Sequence, residues 1–214
     1  MNNSKNLLVY LLLITMTVLT TAWAGELKVT FTNFFQSSAG NDKGSSSFID
    51  AHTNIYITGY VYNGSDSDVL LLKYDKNGNL LKAKTNDCAG NNDYGKDIVV
   101  DSTGNVYICG MAKKSGYYQG YVLKYDSNFN LMWSNVVDIP NNGSDTKFYG
   151  ITLDEYTNVY VVGRYVDSVW RGVLIKYTPD GTAVFTNKIT TSQNALRDII
   201  YYNCLLYTSP SPRD

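Results

Sequence analysis

Glutamate is almost missing from this 214-residue sequence: Glu26 and Glu155 are the only two, and every other acidic residue is Asp. Soluble helices lean on Glu and Lys while Asp favours turns, so this choice of acid excludes a predominantly helical chain. Histidine is nearly missing too. His52 stands alone, which excludes Ser-His-Asp and Cys-His machinery at any recognisable spacing and every zinc motif built on paired imidazoles. Neither charge dominates: 18 Lys and Arg against 19 Asp and Glu leave a net charge of −1 with no run of like charges. A nucleic-acid binder needs a basic stripe that releases counterions, so that class of partner is excluded. Long apolar runs are absent beyond the first two dozen residues. What is abundant is tyrosine, 19 residues, beside 17 glycines and many Asn, a blend of strand and turn formers that points to an all-β chain.

The N-terminus has the order of a secretory signal. "MNNSKN" supplies one positive charge, "LLVYLLLITMTVL" (7–19) an apolar core, and Ala22 and Ala24 an A-x-A cleavage pattern. The core is short against the ~20 residues that span a bilayer, so residues 1–24 are expected to be removed, leaving an exported chain with no membrane span, secreted or at the cell surface. Export permits a disulfide between Cys88 and Cys109, but spacing cannot show that they meet; two unpaired thiols are the simpler reading.

The phrase "NVYICG" (105–110) returns as "NIYITG" (54–59) and "NVYVVG" (158–163), its asparagines 51 and 53 residues apart. In step with it run "LLKYDKNGNL", "VLKYDSNFNL" and "LIKYTPDGTA", with Lys73, Lys124 and Lys176 spaced 51 and 52 apart. Asp50, Asp101 and Asp154 precede the first phrase with the same period. Three signatures on one period of about 52 residues define an internal repeat, and such periods belong to arrays and propellers. The middle unit reads as four strands, "KDIVV", "NVYICG", "YVLKYD" and "NLMWSNVV", bounded by Gly, Asn and Asp. In the second of them Val106 and Ile108 are apolar, and so are Tyr107 and Cys109 on the opposite face. A strand buried on both faces requires sheets stacked face to face, as propeller blades are.

The pattern D-x-x-G-N-V-Y-x-x-G followed by K-Y-D-x-x-G-N-L-x-W resembles the SBBP-type β-propeller repeat, with three copies over residues 45–190. The middle copy matches best; Lys82 and Phe185 stand where it has Trp133, and Thr178 replaces the Asp of K-Y-D in the third. The resemblance implies an all-β propeller of four-stranded blades in a secreted or cell-surface protein, and implies no particular activity. The period also suits kelch repeats, but their double glycine is missing.

The units run over about 46–94, 95–146 and 147–194, with a fourth beginning at 195–203. "ELKVTFTNFFQ" (26–36) alternates like a strand and stands at the place of a fourth strand, where it would complete the last blade of a closed ring. Propellers have ~4–8 blades, so 25–203 is expected to be a partial ring. Residues 204–214 keep none of the pattern and are expected to be foreign to the repeat, a native short tail being the other reading.

Connections from second to third strand differ between units: 60–68, 111–119 and 164–171. So do those joining one unit to the next, around 86–94 and 138–148. In an up-and-down blade both sets emerge on one face, and loops on a rigid scaffold are where binding resides. Tyr117, Tyr118, Trp170 and Arg171 are the anchors expected there, since aromatics and Arg dominate hot spots. Asp75-x-Asn77-x-Asn79 and Asp126-x-Asn128-x-Asn130 alternate oxygens as calcium loops do, but the Gly and Glu positions of an EF-hand are not met; a hairpin turn explains them without a metal, and no cofactor is expected. His52 falls in a turn. Asp97 and Asp198 occupy equivalent first-strand positions, but Gly150 fills that position in the third unit, which argues against a ring of required acids. Asn63-Gly64-Ser65 and Asn142-Gly143-Ser144 are glycosylation sequons, relevant only in a eukaryotic source.

The expected function is a secreted, non-catalytic scaffold that binds an extracellular protein or a glycan through its variable face. The rival is a piece of a secreted hydrolase or lyase, whose acids from separate blades would meet at the channel.

Overall fold

The computed structural model describes residues 41–139, 144–189, 196–202 and 204–210. The expected signal (1–24), the strand expected at 26–36 and the Asn142 sequon position lie outside them. All its regular structure is β. The first sheet is β1 (Lys43–Ile49), β2 (Ile55–Tyr62), β3 (Ser67–Tyr74) and β4 (Leu80–Asn86). The second is β5 (Asp93–Val100), β6 (Val106–Lys114), β7 (Tyr117–Tyr125) and β8 (Leu131–Val137). The third is β9 (Thr146–Leu153), β10 (Val159–Val166), β11 (Trp170–Tyr177) and β12 (Ala183–Ile189), and a two-stranded sheet of β13 (Leu196–Tyr202) and β14 (Leu205–Pro210) follows. Each four-stranded sheet is an antiparallel meander in chain order. The first strands β1, β5, β9 and β13 pack on one another in sequence, while β4, β8 and β12 form an exposed rim. The result is an unclosed β-propeller. Among the described residues no helix is long and apolar enough to cross a membrane.

The recurring phrases have local causes. Asp101 Oδ1 accepts from the Thr103 and Asn105 amides at 2.9 Å. Its Oδ2 accepts from Asn105 Nδ2 at 2.8 Å and the Tyr107 hydroxyl at 3.2 Å. Asp50 with Asn54 and Tyr56, and Asp154 with Asn158 and Tyr160, repeat the clamp. Burial alone would raise the Asp101 carboxyl, but hydrogen bonds from Thr103 and Asn105 outweigh it and hold it below the ordinary carboxylate range. Across the β2–β3, β6–β7 and β10–β11 pairs, Lys73, Lys124 and Lys176 stand over the rings of Tyr56, Tyr107 and Tyr160 at 4.9, 5.0 and 4.9 Å. Asp, Asn, Tyr and Lys of the repeat are therefore one cross-strand unit. Asp75 and Asp126 close the β3–β4 and β7–β8 hairpins in the same manner, with Asn77 and Asn79, and Asn128 and Asn130, as donors.

The core lies between the sheets. Val106 and Ile108 of β6 pack with Tyr56, Val69 and Leu71 of the first sheet; Tyr107 and Cys109, on the other face, pack with Phe148, Val161 and Ile175 of the third. All four β6 side chains are 0% exposed. Full burial of a Val, Ile or Leu contributes about 1.5–3 kcal/mol, so the second strands hold the stack together and the rim strands add little. Cys88 packs against the first of these clusters and Cys109 lies in the second. Facing different layers, they are free thiols.

The strands run further than the sequence suggests. The segment 111–119, expected as a variable connection, is the end of β6 and the start of β7 joined by a two-residue turn, with Ser115 at φ 51° and Gly116 at φ 92°, the left-handed pair a tight hairpin demands. Tyr117 and Tyr118 therefore pair with Lys114 and Lys113, and Trp170 and Arg171 likewise stand in β11, opposite Val166 and Tyr165. β14 falls within the segment that departs from the repeat and pairs with β13, because ladder hydrogen bonds involve the backbone and ask little of side chains.

Candidate functional site

Every first strand carries one extra residue at the same place. Pairing of β1 with β2 skips from Gly44 to Ser46, of β5 with β6 from Gly95 to Asp97, of β9 with β10 from Phe148 to Gly150, and of β13 with β14 from Leu196 to Asp198. The unpaired residues are Ser45, Lys96, Tyr149 and Arg197. Such bulges re-aim side chains and bend the strand. In the first three sheets the neighbouring strand makes room for the bulge with the glycine that ends each "N-φ-Y-x-x-G" phrase (φ apolar); β14 has no such glycine. A Cβ on Gly59, Gly110 or Gly163 would run into the carbonyl oxygen of Lys43, Tyr94 or Lys147 respectively. Only glycine admits that approach.

The bulges sit at the variable end of the sheets, where aromatic rings and cations alternate. Tyr60 meets Tyr94 edge-on at 5.0 Å, and Tyr94 lies 6.3 Å from Tyr118. Lys147 Nζ stands 4.3 Å from the Tyr118 ring and 5.3 Å from Trp170. The Arg164 guanidinium covers Trp170 at 3.7 Å and faces Tyr149 at 5.6 Å. Arg197 also lies over Tyr149, at 4.6 Å, and Lys96 lies over Tyr94 at 5.3 Å. The belt runs from the first sheet to the last, and apart from exposed Arg197 its members are half-buried.

Its charge is one-sided. Lys147 is paired with Asp145 at 2.7 Å; among the described residues, Lys96, Arg164 and Arg197 have no carboxylate within ion-pair distance, and Arg164 Nε is buried without an acceptor. Burial pushes the Lys96 ammonium down, and the like charges of Lys43 and Lys147 push it further.

Of the four expected anchors, Tyr118 and Trp170 meet around Lys147. Tyr117 is exposed at the turn, and Arg171 is turned toward Asp167 at 2.6 Å. Tyr60, Tyr94, Lys147 and Arg164 fall inside the variable segments but are not among the expected anchors, and Lys96, Tyr149 and Arg197 lie outside those segments, at the bulges of first strands. The signal that could have found them is the match of Arg197-Asp198-Ile199 to Lys96-Asp97-Ile98, a cation repeated at one position. His52 lies in the exposed β1–β2 turn, its amide donating to Asp50 Oδ1 at 2.8 Å.

Behind the belt, Asp97 joins three sheets. Its Oδ1 accepts from Ser46 Oγ at 2.7 Å and the Ile98 amide at 2.9 Å, and its Oδ2 from the Ile151 amide at 2.9 Å. Asp198, its counterpart, accepts from the Ile199 amide at 2.7 Å.

No curated protein matches the chain. Among solved structures it is similar in shape to a protein of unknown function from Bacteroides caccae, at 8% identity and a TM-score of 0.49 over 76% of this chain and 51% of that one. It is also similar to an α-L-arabinofuranosidase from Clostridium thermocellum, at 15% identity and a TM-score of 0.43 over 72% and 57%. The chain thus spans little more than half the length of either. A family model described as a beta-propeller repeat, SBBP, matches residues 89–117, the stretch that holds the Lys96 bulge, the Asp101–Asn105–Tyr107 clamp and Gly110. Residues 89–117 thus match an SBBP beta-propeller repeat, and the all-β chain around them is an open propeller.

Proposed function

We propose that this protein is a secreted or cell-surface binding scaffold that takes an extracellular partner on the variable face of its propeller, and that a glycan bearing carboxylates suits the site best. The observation that carries this reading is the belt: aromatic rings from the first three sheets, those of Tyr94, Tyr118, Tyr149 and Trp170 each with a Lys or Arg over it, and three of those cations without a carboxylate within ion-pair distance. Aromatic faces supply large contact area at low entropic cost, and guanidinium groups engage carboxylates in a fork that neutral sugars cannot use. A protein partner would meet the same anchors through acidic side chains. The hydrolase or lyase reading looks to Asp97 and Asp198 as its pair of acids. Both oxygens of Asp97 are committed to Ser46, Ile98 and Ile151, which favours a structural role and the scaffold.

Calorimetric titration with acidic and neutral oligosaccharides tests this. Acidic chains should bind, more weakly as salt rises toward ~0.15 M, and the Lys96→Glu/Arg197→Glu double variant should lose at least about tenfold in affinity. Equal binding of neutral and acidic chains would overturn the charge reading. Release of shorter sugars from a bound chain would move the protein to the enzyme class.

A further inference from the structure

Beside the Tyr60–Tyr94 end of the belt, on the same face, three carboxylates converge between the first and second sheets. Asp68 lies in β3, Asp87 in the β4–β5 connection, and Asp93 opens β5. One oxygen from each lies within 4.8 Å of the others. Asp93 is 0% exposed, which is unusual for an acid outside an ion pair. Its Oδ2 accepts from the Cys88 amide at 2.5 Å and the Ala89 amide at 3.3 Å, but no donor reaches its buried Oδ1. Asp68 repeats the arrangement: Asn63 Nδ2 donates to Oδ2 at 3.1 Å, and the buried Oδ1 has no donor. Asp87 spends Oδ1 on the Ala89 and Gly90 amides and is exposed to solvent. None of the three is ion-paired to a Lys or Arg among the described residues. Two buried carboxylate oxygens without donors, beside a third acid, form an arrangement that costs several kcal/mol unless something positive stands between them.

We infer that Asp68, Asp87 and Asp93 form a binding site for a divalent cation of the calcium type. The donors are all hard oxygens. Their spacing falls inside the roughly 5 Å that two ligands can stand apart across an ion with 2.3–2.6 Å bonds, whereas magnesium, with bonds near 2.1 Å, draws its ligands to within about 4.2 Å. Asp87 faces solvent, so water completes the coordination from that side. The ion ties the β4–β5 connection and the first residue of β5 to β3, and so fixes the first sheet on the second.

Terbium, whose emission is sensitised by nearby tyrosine, tests the site on the whole chain, with calcium as competitor. One terbium ion should bind per chain and be displaced by calcium, and calcium should raise the unfolding temperature over an EDTA-treated sample. Asp87→Asn, at an exposed position, should fold normally and bind at least tenfold more weakly; Asp93→Asn should abolish binding. Lack of a calcium effect on terbium emission and unfolding temperature up to ~10 mM, about tenfold beyond the weak end of extracellular calcium modules, would overturn the site. It would leave a proton shared between Asp68 and Asp93 as the reason for the cluster. Wild-type affinity in Asp87→Asn would overturn it as well, by placing the ion elsewhere.

Discussion

Asp97 shows how much one side chain can coordinate. Its carboxylate holds Ser46 of the first sheet, Ile98 of its own and Ile151 of the third. Burial pushes its carboxyl up, the Ile151, Ser46 and Ile98 hydrogen bonds pull it back, and Asp198 pushes it up again; the balance lies above the ordinary value. A folded pKa above the unfolded one means that the group stabilises most below about pH 3.9 and that this stabilisation is lost as pH rises through the folded value. Asp97→Asn removes the titration and turns an amide NH₂ toward the Ile151 N–H. The variant should lose about 1–3 kcal/mol, and its deficit against wild type should shrink between pH 4 and 7 in denaturant titrations. A deficit that grows with pH would reverse the sign of this account.

Two glycines of the second sheet separate backbone strain from close approach. Gly110 lies where a Cβ would meet the Tyr94 carbonyl and the Tyr121 hydroxyl, whereas Gly116 has φ +92° and nothing within 4 Å. Gly116→Ala should therefore cost about 1 kcal/mol. Gly110→Ala should cost about 3 kcal/mol, because either the bulge at Lys96 or the pairing of β5 with β6 has to give way. Equal losses in equilibrium unfolding would mean that the glycine is not what permits the bulge. Period, strand order and the double-sided burial of β6 were legible in the sequence, since each follows from residues close together in the chain. The bulge was not. One inserted residue in a strand reading Lys96-Asp97 leaves no mark on alternation, as both residues are polar, and the reason for the glycine sits on the partner strand. Tyr118 and Trp170 could be chosen by type and place, but their meeting around Lys147 depends on how separate sheets stack.

At the scale of the whole molecule the last sheet differs from those inside the arc. Ile200 stands at the position of Val99, which packs against the third sheet. In the last sheet Ile200, Tyr202, Leu205 and Tyr207 are 58, 62, 57 and 51% exposed, and they lie opposite one another across the ladder. Contiguous apolar surface of this kind drives association. Sedimentation should show an average mass that rises with concentration, and Ile200→Lys with Tyr207→Lys should return the chain to a single species; an unchanged mass in the double variant would acquit this surface.

The belt, too, belongs to no single repeat. Lys147 of the third sheet reaches Tyr118 of the second, Arg197 of the last reaches Tyr149 of the third, and Tyr94 of the second meets Tyr60 of the first. Each seam is written jointly by two successive units. Shuffling whole repeats, with not one amino acid altered, would deal a new hand of cation–ring pairs. The order of the units is thus itself a vocabulary from which evolution or a designer could draw new recognition surfaces.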